Sequence, residues 1–366
     1  MQVTLANWRT APFNRWAFHH VRELIPSADI PHDTVGVRRL PANETDLKNL
    51  RIDPDAGEAM DLDAFLNATD TDGMAVLRRG RLVLERYANG MSDETPHILM
   101  SVSKSMLGLL VHEIGLDTGG RVAELVPELK GTAYEGATIR HLLDMRAGIV
   151  WDENYLAASG PIVEYRKATG WNPSDGTGDL KSFYRQLTQS FAHGGPVHYV
   201  SPNSDLLGWV IERATGRRYA ELMSEFVWKK IGAERSAYIT VDRLGAPRCA
   251  GGMCATLRDL ARVGQWLIEE RGGFLDDLTS GDAQAWNRGD LAQFFRELPM
   301  RYRSQWYVLD GEAPLVFGWG IHGQNLFIDR ANQLVIAKLS SQAQPVDVAR
   351  IGLTLRAVSQ LRKLLA

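Results

Sequence analysis

The chain has 366 residues, of which 45% are hydrophobic and 23% charged, a composition typical of globular proteins and not of disordered or fibrous ones. A formal net charge of −3 gives no basic surface of the kind that nucleic-acid binding requires, and no stretch approaches the roughly 18 unbroken apolar residues of a membrane span. The length allows about two domains. We therefore expect an enzyme-sized protein with neither nucleic acid nor membrane as a partner.

The N-terminal residues and the cysteines indicate neither export nor a metal site. Residues 1–20 carry Trp8, Arg9 and paired histidines where a secretory signal needs an apolar stretch, which predicts a cytoplasmic protein. Cys249 and Cys254 lie five residues apart without obvious companion ligands for zinc. The sequence therefore implies no metal, and nothing in it implies an organic cofactor.

The first part of the chain, up to residue 114, predicts an extended arm, a hairpin and two helices. Residues 1–58 show weak periodicity and predict an extended arm, and residues 60–66 predict a short helix. Residues 73–90 place apolar side chains at alternate positions on both sides of a glycine turn, which predicts a β-hairpin. From residue 103 to 114, apolar side chains cover nearly all sides of a helical pattern, which is typical of a buried helix.

The middle of the chain is helical by pattern, and strands return near its end. Predicted helices cover residues 138–145, 179–187, 204–216 and 219–231, with a polar, glycine-containing loop at 170–178. Strands are predicted at 315–320, 324–329 and 334–340, and a last helix at 346–365. This order predicts one domain from residues 1–103 and 246–366, interrupted by a helical domain of residues 104–245, with the active site in the cleft between them.

A serine and a lysine one helical turn apart form the main chemical motif. Ser101-Val-Ser-Lys104 is the sole S-x-x-K of the chain, and its spacing directs both side chains the same way. The lysine can accept the serine proton only if burial or a nearby cation lowers its pKa. The predicted buried helix would supply that burial, and its first N–H groups would favour an oxyanion. A serine that merely caps the helix is the alternative.

Two further segments have the residue types of an acyl-transfer site. Tyr199, in Tyr199-Val-Ser201, precedes a predicted helix, where a tyrosine can carry protons to and from the serine and the leaving group. Gly318-Trp319-Gly320 lies on a predicted strand, and glycines in a strand mark the close approach of another backbone or a ligand. Such a strand can lend a second N–H group to an oxyanion, although thin packing at a sheet edge explains the glycines equally well.

In this order, the three motifs resemble those of the penicillin-recognising serine hydrolases, which include class C β-lactamases, D-alanyl-D-alanine peptidases and esterases. Residues 126–129, 138–143 and 251–261 are similar to further segments of that family. The segments around Asn14, Ser101, Asp152 and Gly320 are most similar to its 6-aminohexanoate-dimer hydrolase branch, which cleaves nylon oligomers. The resemblance implies an α+β, β-lactamase/transpeptidase-like fold: an antiparallel sheet flanked by helices, with an inserted all-helical domain.

The resemblance also implies the role of each site residue. Ser101 would be the nucleophile, Lys104 its base and Tyr199 the proton shuttle, while the backbone N–H groups of Ser101 and Ile321 would form the oxyanion hole. Tyr155 matches a tyrosine that contacts the scissile amide in the nylon-oligomer branch. The candidate substrate-binding residues are Tyr155, Ser201, Trp319, Gly320 and His322.

Departures from the family pattern bear on the substrate. Gly318-Trp319-Gly320 stands where the family has K-T-G, so the cation that meets a β-lactam carboxylate is missing, and Ser201 stands at the asparagine of Y-x-N. Ala250 and Arg166 occupy positions where nylon-active members carry particular polar or acidic side chains, and Arg166 would meet the amine end of that substrate. These differences favour a carboxylesterase acting on small molecules.

Three alternatives remain open at this stage. They are a 6-aminohexanoate-dimer amidase, a β-lactamase or D-alanyl-D-alanine peptidase, and a non-catalytic binding module on the same fold. Retention of Ser101, Lys104 and Tyr199 together argues against the binding module. The sequence is compatible with a homodimer and does not decide the oligomeric state.

Overall fold

Two antiparallel sheets and thirteen α-helices make up most of the structure, a computed structural model that describes residues 2–43, 45, 47, 49–54, 57–270, 273–295 and 298–366. The strands are β1 (Ser27–Ile30), β2 (Thr71–Arg78), β3 (Arg81–Tyr87), β4 (His97–Ile98), β5 (Ala237–Thr240), β6 (Met253–Ala255), β7 (Met300–Arg303), β8 (Trp306–Leu309), β9 (Leu315–Gly320), β10 (Gln324–Asp329) and β11 (Leu334–Ser340). The helices are α1 (Asn14–Ala17), α2 (Leu62–Ala68), α3 (Val102–Glu113), α4 (Val122–Leu125), α5 (Ile139–Leu143), α6 (Pro161–Ala168), α7 (Leu180–Phe183), α8 (Ser201–Thr215), α9 (Tyr219–Met223), α10 (Leu257–Glu269), α11 (Phe274–Thr279), α12 (Ala283–Asn287) and α13 (Val348–Leu365).

The larger sheet joins distant parts of the chain. Its seven strands follow the order β3-β2-β11-β10-β9-β8-β7, and the predicted hairpin is the pair β2 and β3. Strand β2 also pairs with β11, so that Ala75 lies opposite Ala337. The smaller sheet has the order β1-β5-β6-β4. This arrangement confirms the predicted α+β class with an antiparallel sheet, whereas the predicted division at residues 103/104 and 245/246 stays a prediction.

Helices cover both faces of the larger sheet. Along β11, Val335 and Ala337 belong to the core that contains α3 and α10, whereas Leu334 and Ile336 pack with α13 on the opposite face. A strand covered on both faces is apolar at consecutive positions, which explains the unbroken hydrophobic run that begins at residue 334. No helix in the described ranges is both long enough and apolar enough to span a bilayer.

The N-terminal segment differs in part from the extended arm that the sequence predicts. It contains α1 and β1, and β1 pairs with β5 through the opposed residues Ile30 and Ala237. Trp8 and Phe18 are buried in a cluster with Trp171, and the Trp8 indole N–H donates to the Trp171 carbonyl at 3.0 Å. The sequence did not predict these short elements or the buried rings, because isolated aromatic anchors leave no period in a sequence, but most of the segment lies over the core without helix or strand, as expected. Strand β5 is likewise absent from the predicted elements.

Helix α3 is buried along most of its length, as its apolar pattern predicts. It packs against β8, β9 and β10, and a glycine allows its closest approach to a neighbouring backbone. A Cβ atom on Gly108 would lie 1.9 Å from the carbonyl oxygen of Ser304. The helix that holds the candidate nucleophile is therefore fixed against the 304–305 turn with no room for a methyl group.

Replacement of Gly108 by alanine is therefore expected to destabilise the protein, in spite of the higher helix propensity of alanine. The backbone of residue 304 would have to move, at a cost of about 1–3 kcal/mol or more in the free energy of unfolding. Urea titration followed by circular dichroism measures this loss. Gly178→Ala serves as the control, because a Cβ at Gly178 meets nothing within 4 Å; equal stability of the two variants would contradict the packing described.

Candidate active site

Ser101 lies at the turn from the smaller sheet into α3. It is the residue immediately before the helix, and the preceding Met100 has a φ of +44°, in the left-handed region that side chains with a Cβ rarely adopt. Ser101 is partly exposed and lines a cavity of about 380 Å³, which we call the main cavity. The strained turn thus presents the hydroxyl of the candidate nucleophile to a space of ligand size.

Lys104 lies one turn further along α3, beneath Ser101. Its ammonium nitrogen is 3.0 Å from Ser101 Oγ, 3.1 Å from Ser201 Oγ and 2.7 Å from the Ala250 carbonyl oxygen. The side chain is only 1% exposed. Burial lowers the pKa of Lys104 to about 7, with a further lowering by Arg248, although Glu153 and Asp205 oppose it. A neutral lysine within hydrogen-bond distance can accept the Ser101 proton at ordinary pH.

Glu153 completes a hydrogen-bonded chain that the sequence analysis did not assign. Its carboxylate accepts hydrogen bonds from the Ser201 backbone N–H at 3.0 Å, from the Ser201 hydroxyl and from the Trp151 indole. Because Lys104 contacts the same Ser201 hydroxyl, Ser201 connects the lysine to the carboxylate. The segment around Asp152 carried the family resemblance, but only the fold shows that Glu153 reaches Ser201.

Tyr199 faces the main cavity beside these groups and is 6% exposed. The Lys104 nitrogen lies 4.9 Å from the centre of its ring. Burial raises the pKa of Tyr199 above its usual range, and its hydrogen bonds with Ser101 and Tyr307 offset only part of that rise. Tyr199 therefore keeps its proton at neutral pH, and of the two groups beside Ser101 the lysine is the stronger candidate for the base.

The end of β9 approaches the turn that holds Ser101, and the closest approach is at Gly320. A Cβ atom on Gly320 would lie 3.0 Å from the backbone nitrogen of Ser101 and 2.9 Å from the Leu99 carbonyl oxygen. The glycine is thus required for close approach, which favours the first of the two interpretations of this motif. Ile321 follows it and lines the main cavity together with Ser101.

The remaining predicted substrate-binding residues divide into two groups. Tyr155 and Trp319 line the main cavity, and Trp319 packs against Phe295 and Tyr307 with ring centres 5.6 and 6.0 Å apart. His322 does not belong to the described lining of this cavity: its Nδ1 lies 2.7 Å from the Gln342 carbonyl oxygen and its ring packs on Phe18. The prediction that His322 binds substrate rested on its position next to Ile321 in the sequence. In the structure the backbone turns away from the cavity after Ile321 and takes the His322 side chain with it.

One cluster of metal-ligand types lies elsewhere. His19, Asp72 and His97 are buried together, with His97 Nε2 3.2 Å and His19 Nε2 3.7 Å from the same Asp72 oxygen. Burial raises the pKa of Asp72, but the two histidines outweigh that effect and lower it below its usual range. None of the three lines the main cavity, and their contacts tie the N-terminal segment to β2 and β4.

Comparison with known proteins shows the family of this chain. The family model described as Beta-lactamase matches residues 62–360. The chain belongs to the beta-lactamase family. The resemblance inferred from the motifs is thereby confirmed, and this member of the family is a serine hydrolase.

Three individual proteins illustrate what the chain is similar to. A 6-aminohexanoate-dimer hydrolase of Paenarthrobacter ureafaciens is 36% identical over 360 residues, which cover 94% of this chain and 89% of the relative. A solved structure described as a candidate 6-aminohexanoate-dimer hydrolase from Bacillus anthracis has a TM-score of 0.89 at 25% identity and covers 100% of this chain and 97% of that one. A candidate beta-lactamase from Bacteroides dorei, at 16% identity, TM-score 0.62 and coverage of 81% and 96%, shares the fold.

Proposed function

We propose that the protein is a carboxylesterase for small molecules that works through an acyl-enzyme on Ser101. The observation that carries the proposal is the 3.0 Å contact between a buried lysine nitrogen and the hydroxyl of Ser101 at the edge of the main cavity. Ser101 Oγ attacks the ester carbonyl carbon while its proton passes to neutral Lys104. The backbone N–H groups of Ser101 and Ile321 hold the oxyanion that forms.

The later steps use the same groups. The carbon–oxygen bond of the ester breaks, and Tyr199, supplied with a proton by Lys104, protonates the departing alkoxide. A water molecule then gives its proton to Lys104 and attacks the acyl-enzyme. The carboxylic acid leaves, and the proton returns to Ser101 Oγ. No metal or organic cofactor takes part in the reaction steps proposed.

A second candidate is amide hydrolysis, which the name of the 36% identical relative favours together with Tyr155 in the cavity lining. An amine is a poorer leaving group than an alkoxide and depends more on protonation, so we place esters first. Arg166 is buried near Tyr155 and would repel the amine end of a 6-aminohexanoate dimer. A cytoplasmic location stays a prediction from the sequence, which is compatible with a homodimer without deciding the oligomeric state.

Hydrolysis of two substrate sets tests the proposal. Short p-nitrophenyl esters and the linear 6-aminohexanoate dimer are incubated with the wild type and with Ser101→Ala. We expect cleavage of the esters by the wild type only, and slower release of amine from the dimer. Faster cleavage of the dimer would establish the amidase instead. Cleavage of neither set by folded protein would favour the binding module.

The pH dependence follows from the lowered pKa of Lys104. Below that pKa the lysine is an ammonium ion and cannot accept the serine proton, so kcat/KM rises with pH, is half-maximal near pH 7 and levels off about one pH unit higher. Initial rates on a p-nitrophenyl ester between pH 5.5 and 8.5, corrected for spontaneous hydrolysis, measure the profile. A flat profile over this range would contradict the role of Lys104.

A further inference from the structure

A small recess adjoins the main cavity at Ser101. It has a volume of about 30 Å³ and shares Ser101, Glu153, Tyr155 and Ile321 with the main cavity. That space holds about two water molecules or one carboxylate group. The feature that distinguishes the recess is its charge, because three arginines contribute to its lining: Arg9, Arg166 and Arg248.

The three arginines differ in how they are paired. Arg248 is 6% exposed and forms an ion pair with the fully buried side chain of Asp205. Arg166 is 7% exposed and donates to the Tyr155 carbonyl oxygen at 2.8 Å. Arg9 donates to Asn172 Oδ1 at 2.5 Å. Among the described residues, no carboxylate forms an ion pair within 4 Å of Arg9 or Arg166.

Two of the arginines that line the recess have a hydrogen-bond donor without a partner among the described residues. The Nε atoms of Arg9 and Arg248 are both buried and have no acceptor within the described part of the chain. A buried guanidinium nitrogen that lacks an acceptor is costly, since it has lost its water without replacement. The arginines that line the recess are therefore incompletely hydrogen-bonded by the described groups.

The acidic groups near the recess do not neutralise it. Asp205 is committed to Arg248, and Glu153 is held by Ser201 and Trp151. Burial together with repulsion from Arg166 and Arg248 lowers the pKa of Arg9 to about 9. Three arginines against two carboxylates leave one positive charge in excess even when Lys104 is neutral.

We propose that this recess binds a carboxylate of the substrate, so that the preferred esters or amides carry an acid group a short distance from the scissile carbonyl. Guanidinium groups match a planar carboxylate in charge and in hydrogen-bond geometry, and the volume suits a group of this size. Because Ser101 lines the same recess, the spacer between acid and carbonyl is short. The inference rests on the proposed hydrolytic function and specifies its substrate class.

Matched substrates test the charge preference. The acid lies in the acyl part of monomethyl glutarate and in the leaving group of 4-acetoxybutanoate. Their neutral counterparts are methyl 5-oxohexanoate and 5-acetoxy-2-pentanone, and methyl 5-aminopentanoate is a cationic analogue. Values of kcat/KM come from pH-stat titration at pH 8. We expect one of the two anionic esters to exceed its neutral counterpart by about 10- to 100-fold, and the cationic ester to be the poorest substrate.

Variants connect the preference to the recess. Arg166→Gln and Arg9→Gln are each expected to reduce the anionic-to-neutral ratio by about 5- to 10-fold or more, and agreement between two variants from separate segments guards against a folding defect in one. Arg81→Gln, at an exposed position that begins β3, keeps the wild-type ratio. Which ester shows the preference identifies the side of the scissile bond that carries the acid.

The outcomes separate this inference from the proposed function. Hydrolysis of the neutral esters with no preference for either anionic ester would overturn the carboxylate site and leave the esterase intact. A preference that persists in both recess variants, with folding verified by circular dichroism, would also overturn it. Failure to hydrolyse any of the five esters would instead remove the function on which the inference rests.

Discussion

Replacement of Lys104 by methionine is expected to lower kcat/KM for short esters by about 10³-fold, while the protein remains folded. Methionine keeps the length of the side chain within the buried space but cannot accept the Ser101 proton. Because serine and lysine act as one unit, Ser101→Ala and the double variant should fall to the same residual rate. Steady-state rates on p-nitrophenyl esters, measured at saturating and limiting substrate, give the comparison.

The chain offers a closely matched control for this variant. Lys338 on β11 is also 1% exposed, and burial likewise lowers its pKa to about 7. It donates to Ser340 and lies outside the lining of the main cavity. Lys338→Met therefore removes an equally buried amine and is expected to keep nearly the wild-type kcat/KM. Equal losses in the two variants would attribute the effect to core disruption and not to a lost base.

Tyr199→Phe is expected to lower kcat by about 10²-fold for alkyl esters, with a smaller effect on KM. The phenol lies beside Ser101 and keeps its proton, so its removal deprives an alkoxide leaving group of its acid. A p-nitrophenolate leaving group needs no protonation, and its esters should therefore lose much less activity. The ratio of kcat values for ethyl and p-nitrophenyl esters of one acid measures this difference.

A neighbouring tyrosine serves as control for the second prediction. Tyr302 is buried with its ring centre 6.4 Å from that of Tyr199, and its hydroxyl has no partner among the described residues. Tyr302→Phe is expected to change neither kcat nor its dependence on the leaving group. If Tyr199→Phe affected both leaving groups equally, Tyr199 would position Ser101 instead of protonating the product.

Hydrophobic patterns over short stretches of the sequence predicted individual helices and strands. The β2–β3 hairpin follows from alternation around a glycine turn, and α3 from a pattern that is apolar on all sides. The same pattern predicted the burial of Lys104, because a lysine within such a helix has no exposed face. The glycines of β9 left close approach and thin packing equally open in the sequence, and the structure shows the close approach of Gly320 to Ser101.

The features of the site that the sequence did not predict depend on contacts between segments far apart in the chain. Arg9 and Arg166 meet at the recess across more than 150 residues, and nothing near either residue indicates the other. Glu153 accepts hydrogen bonds from Ser201, which only the fold brings within reach. His322 was predicted to bind substrate because it is adjacent to Ile321 in the sequence. The sequence does not show the turn that directs its ring towards Gln342.

The central claim is that Ser101 becomes acylated because Lys104 removes its proton. Reaction with a fluorophosphonate probe, followed by peptide mass spectrometry, tests it most directly, with the Ser101→Ala, Lys104→Met and Lys338→Met variants treated alongside the wild type. We predict one adduct on the peptide that contains Ser101, none in Ser101→Ala, at least about 10²-fold slower labelling in Lys104→Met, and the wild-type rate in Lys338→Met. An adduct on another serine, or folded protein that takes up no probe, would contradict the account.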